Sequence, residues 1–277
     1  MKNVLRTLVF DGQVSLTLAD TTAIVDEGIQ LHELSSSSAQ VFGKALSAMT
    51  FASACLKEDR GEISLSLQCS GKGGNIGISG NRALRIRGYI ENTQAEGSET
   101  ELLGSGALTI IRDDGYSSPF VGSCAIPQGG VDAAFEEYYR ISEQLPTCLK
   151  TAVELNEAGR CAFAGVAVLQ PLPFADEKTL AAVRNFSLEK LLERARETGV
   201  EEAAKAYFKP DCAVWDMRTA VYQCNCSKTY LARVLVPVGE EEIRRIIRED
   251  GVVRIHCHYC NKDYEFTDKD ADGIFQK

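Results

Sequence analysis

Ten cysteines occur in this chain of 277 residues, and four of them are close enough in sequence to act together. Cys224 and Cys226 form a C-x-C pair, Cys257 and Cys260 form a C-x-x-C pair, and residues 227–256 lie between. Two such pairs folded onto each other offer four thiolates, the tetrahedral sulfur set that zinc takes in closed structural sites. The first pair is one residue shorter than the usual knuckle, a departure that still permits tetrahedral coordination. His256 and His258 flank Cys257 and are alternative ligands. Strand alternation turns both away from the side that Cys257 faces, which favours the all-cysteine set. Cys55, Cys69, Cys124, Cys148, Cys161 and Cys212 stand singly, mostly within helix or strand patterns, and read as small apolar residues. A four-thiolate centre has two uses: an inert staple, or a sensor in which oxidation joins neighbouring sulfurs, releases the metal and removes the folding free energy it supplied.

The unit carrying these cysteines is expected to be small. Residues 231–238 form an apolar, strand-like run, residues 240–248 a short helix turning Ile243, Ile246 and Ile247 inwards, and Asp250-Gly251 a turn. So little apolar material does not make a self-sufficient core, and zinc would supply most of the unit's folding free energy.

Upstream, residues 4–10, 14–18, Glu62–Cys69, 83–89, 107–112 and 120–124 read as strands separated by Gly, Asn, Asp and Ser clusters. Gly71, Gly73, Gly74, Gly77 and Gly80 are placed in hairpin turns, because no Lys-Ser or Lys-Thr pair and no helix follows to make a phosphate loop. Ser36 to Ser38 open a long apolar helix reaching Cys55. Gly130 opens a second one that runs to Glu143 and stops before Pro146. Residues 147–155 and 161–170 close this part as two strands around a turn at 156–160. After Pro171 and Pro173 the sequence becomes charged and helical from 177 to 208. Leu180, Val183, Leu188, Leu191 and Leu192 share one face there, and Gly199 divides two helices. The expected class is α+β: an N-terminal α/β domain over 1–173, a helical linker over 174–213 that is either packed on that domain or only conditionally stable, and a C-terminal zinc-binding domain over 214–277.

A net charge of -9 argues against nucleic acid as the main partner. Arg244, Arg245, Arg248 and Arg254 cluster near the cysteines, yet acidic residues interleave them, as on a solvated face. Arg6 and Asp11 interrupt the first apolar run, so neither a signal peptide nor a membrane anchor is expected, and the chain is placed in the cytoplasm, where thiols stay reduced. No serine–histidine–acid set, carboxylate dyad or nucleotide motif stands out, so no catalytic residue and no enzyme is expected. A thiol–disulfide oxidoreductase would place its C-x-x-C at the start of a helix, whereas here the pair follows a strand-like run.

Glu249-Asp250-Gly251 followed by His256-Cys257-x-Tyr259-Cys260, with Cys224-x-Cys226-Ser227 upstream, resembles the zinc centre of the heat-shock protein 33 family of redox-regulated chaperones. Ser142-Glu143-Gln144-Leu145-Pro146-Thr147, and Gly74-Asn75-Ile76 leading to Arg87-Gly88-Tyr89, are similar to stretches of that family, and the likeness spans the whole chain. It implies a stress-response protein that is inactive while reduced, with one zinc on Cys224, Cys226, Cys257 and Cys260. Oxidation would pair Cys224 with Cys226 and Cys257 with Cys260, release the zinc and unfold the linker. The protein would then bind unfolding clients without ATP, commonly as a homodimer, with no nucleic acid and no membrane as partner.

Overall fold

The computed structural model describes residues 2–208 and 216–275 and divides the chain into two compact units, 1–223 and 224–277. In the first unit the elements run β1 (Val4–Val9), β2 (Val14–Asp20), α1 (Thr22–His32), α2 (Ser36–Ala54), β3 (Glu62–Cys69), β4 (Ile76–Asn81), β5 (Arg85–Ile90), α3 (Glu99–Leu103), β6 (Gly106–Asp113), β7 (Phe120–Ala125), α4 (Gly130–Ser142), β8 (Cys148–Leu155) and β9 (Cys161–Pro171). Three helices follow, α5 (Glu177–Asn185), α6 (Leu188–Thr198) and α7 (Val200–Tyr207), and then two short strands, β10 (Asp216–Arg218) and β11 (Val221–Tyr222). The second unit holds α8 (Lys228–Leu235), a 3-10 turn at Val236–Val238, α9 (Glu240–Asp250), β12 (Val253–Cys257), β13 (Lys262–Phe266) and α10 (Asp268–Phe275). The α+β class expected from the sequence is the one observed.

Two sheets build the first unit. One has the order β10-β1-β2-β9-β8, the other β11-β5-β4-β3-β6-β7. Helix α2 starts where the Ser35 side chain accepts a hydrogen bond from the Ser38 amide, and it packs against strands of both sheets. Phe42, Leu46, Met49 and Phe51 are wholly buried in the core it shares with α1, α4 and the two sheets.

Strand alternation gives the five-stranded sheet two apolar faces. Val4, Val166 and Val168 point into the α2 core, while Leu5, Leu16, Leu18, Ala167 and Leu169 point the other way. Helices α5 to α7 cover that second face with Val183, Leu188, Leu191, Leu192, Ala195, Val200, Ala203 and Ala204. Phe10, Phe186 and Phe208 close one end with ring contacts at 5.0–6.4 Å. The segment expected to be two helices is three. Phe186 ends α5, and the Ser187 hydroxyl accepts from the Lys190 amide to start α6, so Gly199 (φ 84°) divides only the last two.

Three further expectations differ from the structure. Gly77 and Gly80 lie inside β4 rather than in turns. A Cβ on Gly77 would come within 2.5 Å of the Tyr89 ring, so glycine there permits close packing across the sheet. Residues 231–238 are helix and 3-10 turn rather than strand. The Ser227 hydroxyl accepts from the Tyr230 amide, and the resulting helix turns Leu231, Ala232 and Leu235 to the core while Val234, Val236 and Val238 stay exposed. Residues 216–222 pair with the first unit: β10 runs antiparallel to β1 and β11 parallel to β5, and the Tyr222 hydroxyl donates to the Gly88 carbonyl oxygen at 2.9 Å.

Candidate metal centre

Each cysteine pair is held by a different local device. Cys224 and Cys226 lie on irregular backbone directly before the Ser227 cap of α8. Cys257 is the last residue of β12, and the chain reverses after it: the amides of Cys260 and Asn261 both donate to the Cys257 carbonyl oxygen, at 3.2 and 2.8 Å. Asn261 takes the left-handed conformation (φ 55°) that lets β13 return antiparallel, with Ile255 opposite Tyr264 and Cys257 opposite Lys262. Burial pushes the Cys257 thiol up, and the amides of Tyr259 and Cys260, which face its sulfur, offset part of that rise.

The result brings all four sequence-predicted sulfurs together. The Sγ atoms of Cys224, Cys226, Cys257 and Cys260 lie within 4.8 Å of one another, the first two half-buried and the last two buried. Cys224 and Cys257 are 3.8 Å apart and Cys226 and Cys260 are 3.1 Å apart. Four sulfurs around one zinc at about 2.3 Å would sit roughly 3.8 Å from each other, so the donor set fits a tetrahedral ion. All four are free thiols. Every pairing among them is within reach after a small shift, so proximity alone does not select one.

Electrostatics show what the cluster needs. Burial opposes ionisation of Cys226, but hydrogen bonds from the Tyr264 hydroxyl and from the neighbouring thiols outweigh it and bring this sulfur down to about 7. The same negative charge, on top of burial, pushes Cys260 up. Four thiols so close cannot all ionise by themselves, and a divalent cation held there would supply the charge that allows it. The single cysteines behave otherwise. Burial raises Cys55 and Cys148, Cys69 and Cys124 to about 11, and Cys161 to about 12, as expected of apolar filling. Cys212 lies outside the described residues.

His256 and His258 are exposed and their rings meet at 5.1 Å, and His256 Nδ1 lies 2.8 Å from Asp263 Oδ1. Neither belongs to the sulfur cluster. The C-x-x-C pair precedes β13, not a helix. Arg244 pairs with Glu240 and Asp272, Arg245 with Glu242 and Glu249, and Arg254 with Glu265. The residue missed by sequence reasoning is Tyr264, whose Oη is 3.1 Å from Cys226 Sγ. Its signal was present in the strand period: position 264 faces position 255 across the hairpin, two residues before Cys257 and on the same side.

Fold and site thus define an α+β protein with a C-terminal unit organised around four cysteines able to hold a metal ion. The family model described as Hsp33 protein matches residues 2–267, and the chain belongs to this family. It is similar to the 33 kDa chaperonin of Bacillus cereus (strain G9842), 29% identical over 293 residues that cover 100% of this chain and 99% of that one. It is also similar to the 33 kDa chaperonin of Clostridium novyi (strain NT), 27% identical over 281 residues covering 96% and 95%. The crystal structure of the 33 kDa chaperonin from Thermotoga maritima superposes with a TM-score of 0.85 over 99% of this chain and 98% of that one. Its 20% identity speaks for the fold alone.

Proposed function

We propose that this chain is a chaperone of the holdase type, switched by oxidation of its four-cysteine centre in the cytoplasm. In this reading Cys224, Cys226, Cys257 and Cys260 hold one zinc ion while reduced. The ion supplies the cross-links that fold a unit too small to fold by its own core. Peroxide or a similar oxidant then meets the sulfurs. A thiolate attacks one peroxide oxygen, the O–O bond breaks, hydroxide leaves and the sulfur becomes a sulfenic acid. A neighbouring thiol displaces water from it, and a disulfide forms. With Cys224 joined to Cys226 and Cys257 to Cys260, no thiolates remain to hold the ion, and the C-terminal unit loses its folding free energy.

The linker is the second half of the proposal. Loosening passes to α5, α6 and α7, whose Leu188, Leu191 and Leu192 leave the five-stranded sheet, and Leu5, Leu16, Leu18 and Leu169 open beneath them. Apolar surface of that extent binds unfolded clients, and two opened chains bind each other as a homodimer, with no ATP required. The observation that carries this reading is the convergence of four sulfurs within 4.8 Å in a unit whose apolar cluster has six buried side chains among the described residues. Family membership supports the chaperone role, and the covered sheet face supports the exposure step.

The test is light scattering from a thermally unfolding client, with zinc content and free thiols measured on the same samples. The reduced, zinc-loaded protein should leave aggregation unchanged. Peroxide at raised temperature should release the zinc, remove four thiols and suppress aggregation, and reductant with zinc should reverse all three. Equal suppression by both forms would reduce the centre to a staple.

A further inference from the structure

The hydroxyl of Tyr264 lies 3.1 Å from Cys226 Sγ and 3.5 Å from the Cys226 carbonyl oxygen. A thiolate only accepts, so the phenol donates to it, and the shorter of the two contacts is the one to sulfur. The backbone of β13 fixes this arrangement: Tyr264 sits mid-strand opposite Ile255, and its ring packs on the cluster of Leu235, Ile247 and Phe266. Strand pairing and ring packing together hold the hydroxyl against the sulfur in the folded unit.

We propose that Tyr264 is a positioning residue of the redox switch: by donating a hydrogen bond to the Cys226 sulfur it restrains that sulfur's attack on peroxide and sets the oxidant threshold of the centre. This rests on the switch reading above. The first step of oxidation forms an S–O bond with a sulfur lone pair while the O–O bond of peroxide breaks and hydroxide departs. A hydrogen bond from Tyr264 occupies that lone pair and lowers its availability. Nucleophilicity of a sulfur follows its basicity with a coefficient of about 0.4–0.5, so losing one charge-assisted donor should speed attack roughly 3- to 8-fold. Cys226 then becomes the first sulfenic acid, and a neighbouring thiol completes the disulfide with loss of water.

The experiment compares the full-length, reduced, zinc-loaded protein with Tyr264→Phe, which keeps the ring and removes the donor. Three readouts are taken: the rate of zinc release to a chromogenic chelator at fixed peroxide, mass-spectrometric trapping of sulfenic acid, and the sulfur-to-metal charge-transfer band of the cobalt-substituted protein. Tyr264→Phe should keep one metal per chain, release it about 3- to 8-fold faster, trap more sulfenic acid at Cys226 and shift the cobalt band to lower energy. A purely structural ring would leave that band in place. Incorporation of 3-fluorotyrosine at 264, a stronger donor of nearly the same shape, should slow release below that of the unmodified protein, and it decides the matter even where the Phe variant holds metal poorly. Identical release rates and cobalt spectra across the three proteins would overturn the role of Tyr264 while leaving the switch intact. A parent chain that binds no zinc would sink both.

Discussion

The two units of the chain use apolar residues in opposite measure. In the first, α2 alone buries 15 of its 19 residues between strands of both sheets. In the second, the apolar cluster among the described residues has six buried side chains, Leu235, Ile243, Ile247, Val253, Phe266 and Ala271, while Tyr230, Val234, Val236 and Val238 face solvent. One unit is held by packing, and the other has a small apolar cluster beside its four sulfurs. On the reading proposed above, a stability sensor would be built by leaving a core too small and giving the missing free energy to a group that an oxidant can remove.

The sharpest way to break that comparison is to remove the metal. If the centre holds zinc as proposed, a chelator would take away a contribution on the scale of roughly 10–16 kcal/mol, and Cys257→Ser a part of it. Amides of β12 and β13 should lose hydrogen-exchange protection while those of β3 and β6 keep theirs. Protected β12 and β13 amides in the metal-free protein would show that six side chains suffice.

Next in size are two leucines, each wholly buried. Leu46→Ala in α2 and Leu191→Ala in α6 should each cost about 2–5 kcal/mol, but in different currencies of structure. The first should lower the melting temperature of the whole N-terminal unit. The second should loosen only the cover over the five-stranded sheet and let the reduced protein suppress client aggregation in light scattering. A common loss of global stability in both variants, with no gain of client binding for Leu191→Ala, would mean that α6 is core and not cover. Smallest is Ser187→Ala, which deletes the cap between α5 and α6 and should weaken α6 by about 1 kcal/mol, read as faster exchange of its first-turn amides. The rim pairs from α6 to β8, Lys150 with Glu189 and Arg196 with Glu154, are mostly exposed and add little.

What could be read from the sequence follows the strength of each local signal. The strand Glu62–Cys69 alternates apolar and polar residues, and α2 begins with serines and ends with its apolar run, so both appear where their residues place them. The four sulfurs were legible because paired spacing leaves few other uses for them. The apolar run around Leu231 to Val238 fits either period, and only the Ser227 cap resolves it in favour of helix. Helix α1 was missed because Gly28 interrupts it and Thr21 makes no side-chain cap. Its Gly28 is required by the Phe42 ring, which a Cβ there would approach to 3.0 Å. Strands β10 and β11 are too short to show any period, and they exist only through partners more than a hundred residues away. Tyr264 became visible once the β12–β13 register was known.

The covering helices leave the sheet at Pro171, the last residue of β9, and the chain rejoins that same sheet at Asp216 in β10. A segment fastened at both ends can part from the strands beneath it without drifting away, and the entropic cost of the loop it makes grows only with the logarithm of its length. It therefore remains an intramolecular competitor for the apolar face, present at an effective concentration that reaches the millimolar range for short tethers. On the proposed reading, a client would have to outbind this resident rival to stay. In the proposed cycle, reductant and zinc would restore the C-terminal unit, the helices would retake Leu16, Leu18 and Leu169, and the loosest guests would leave first.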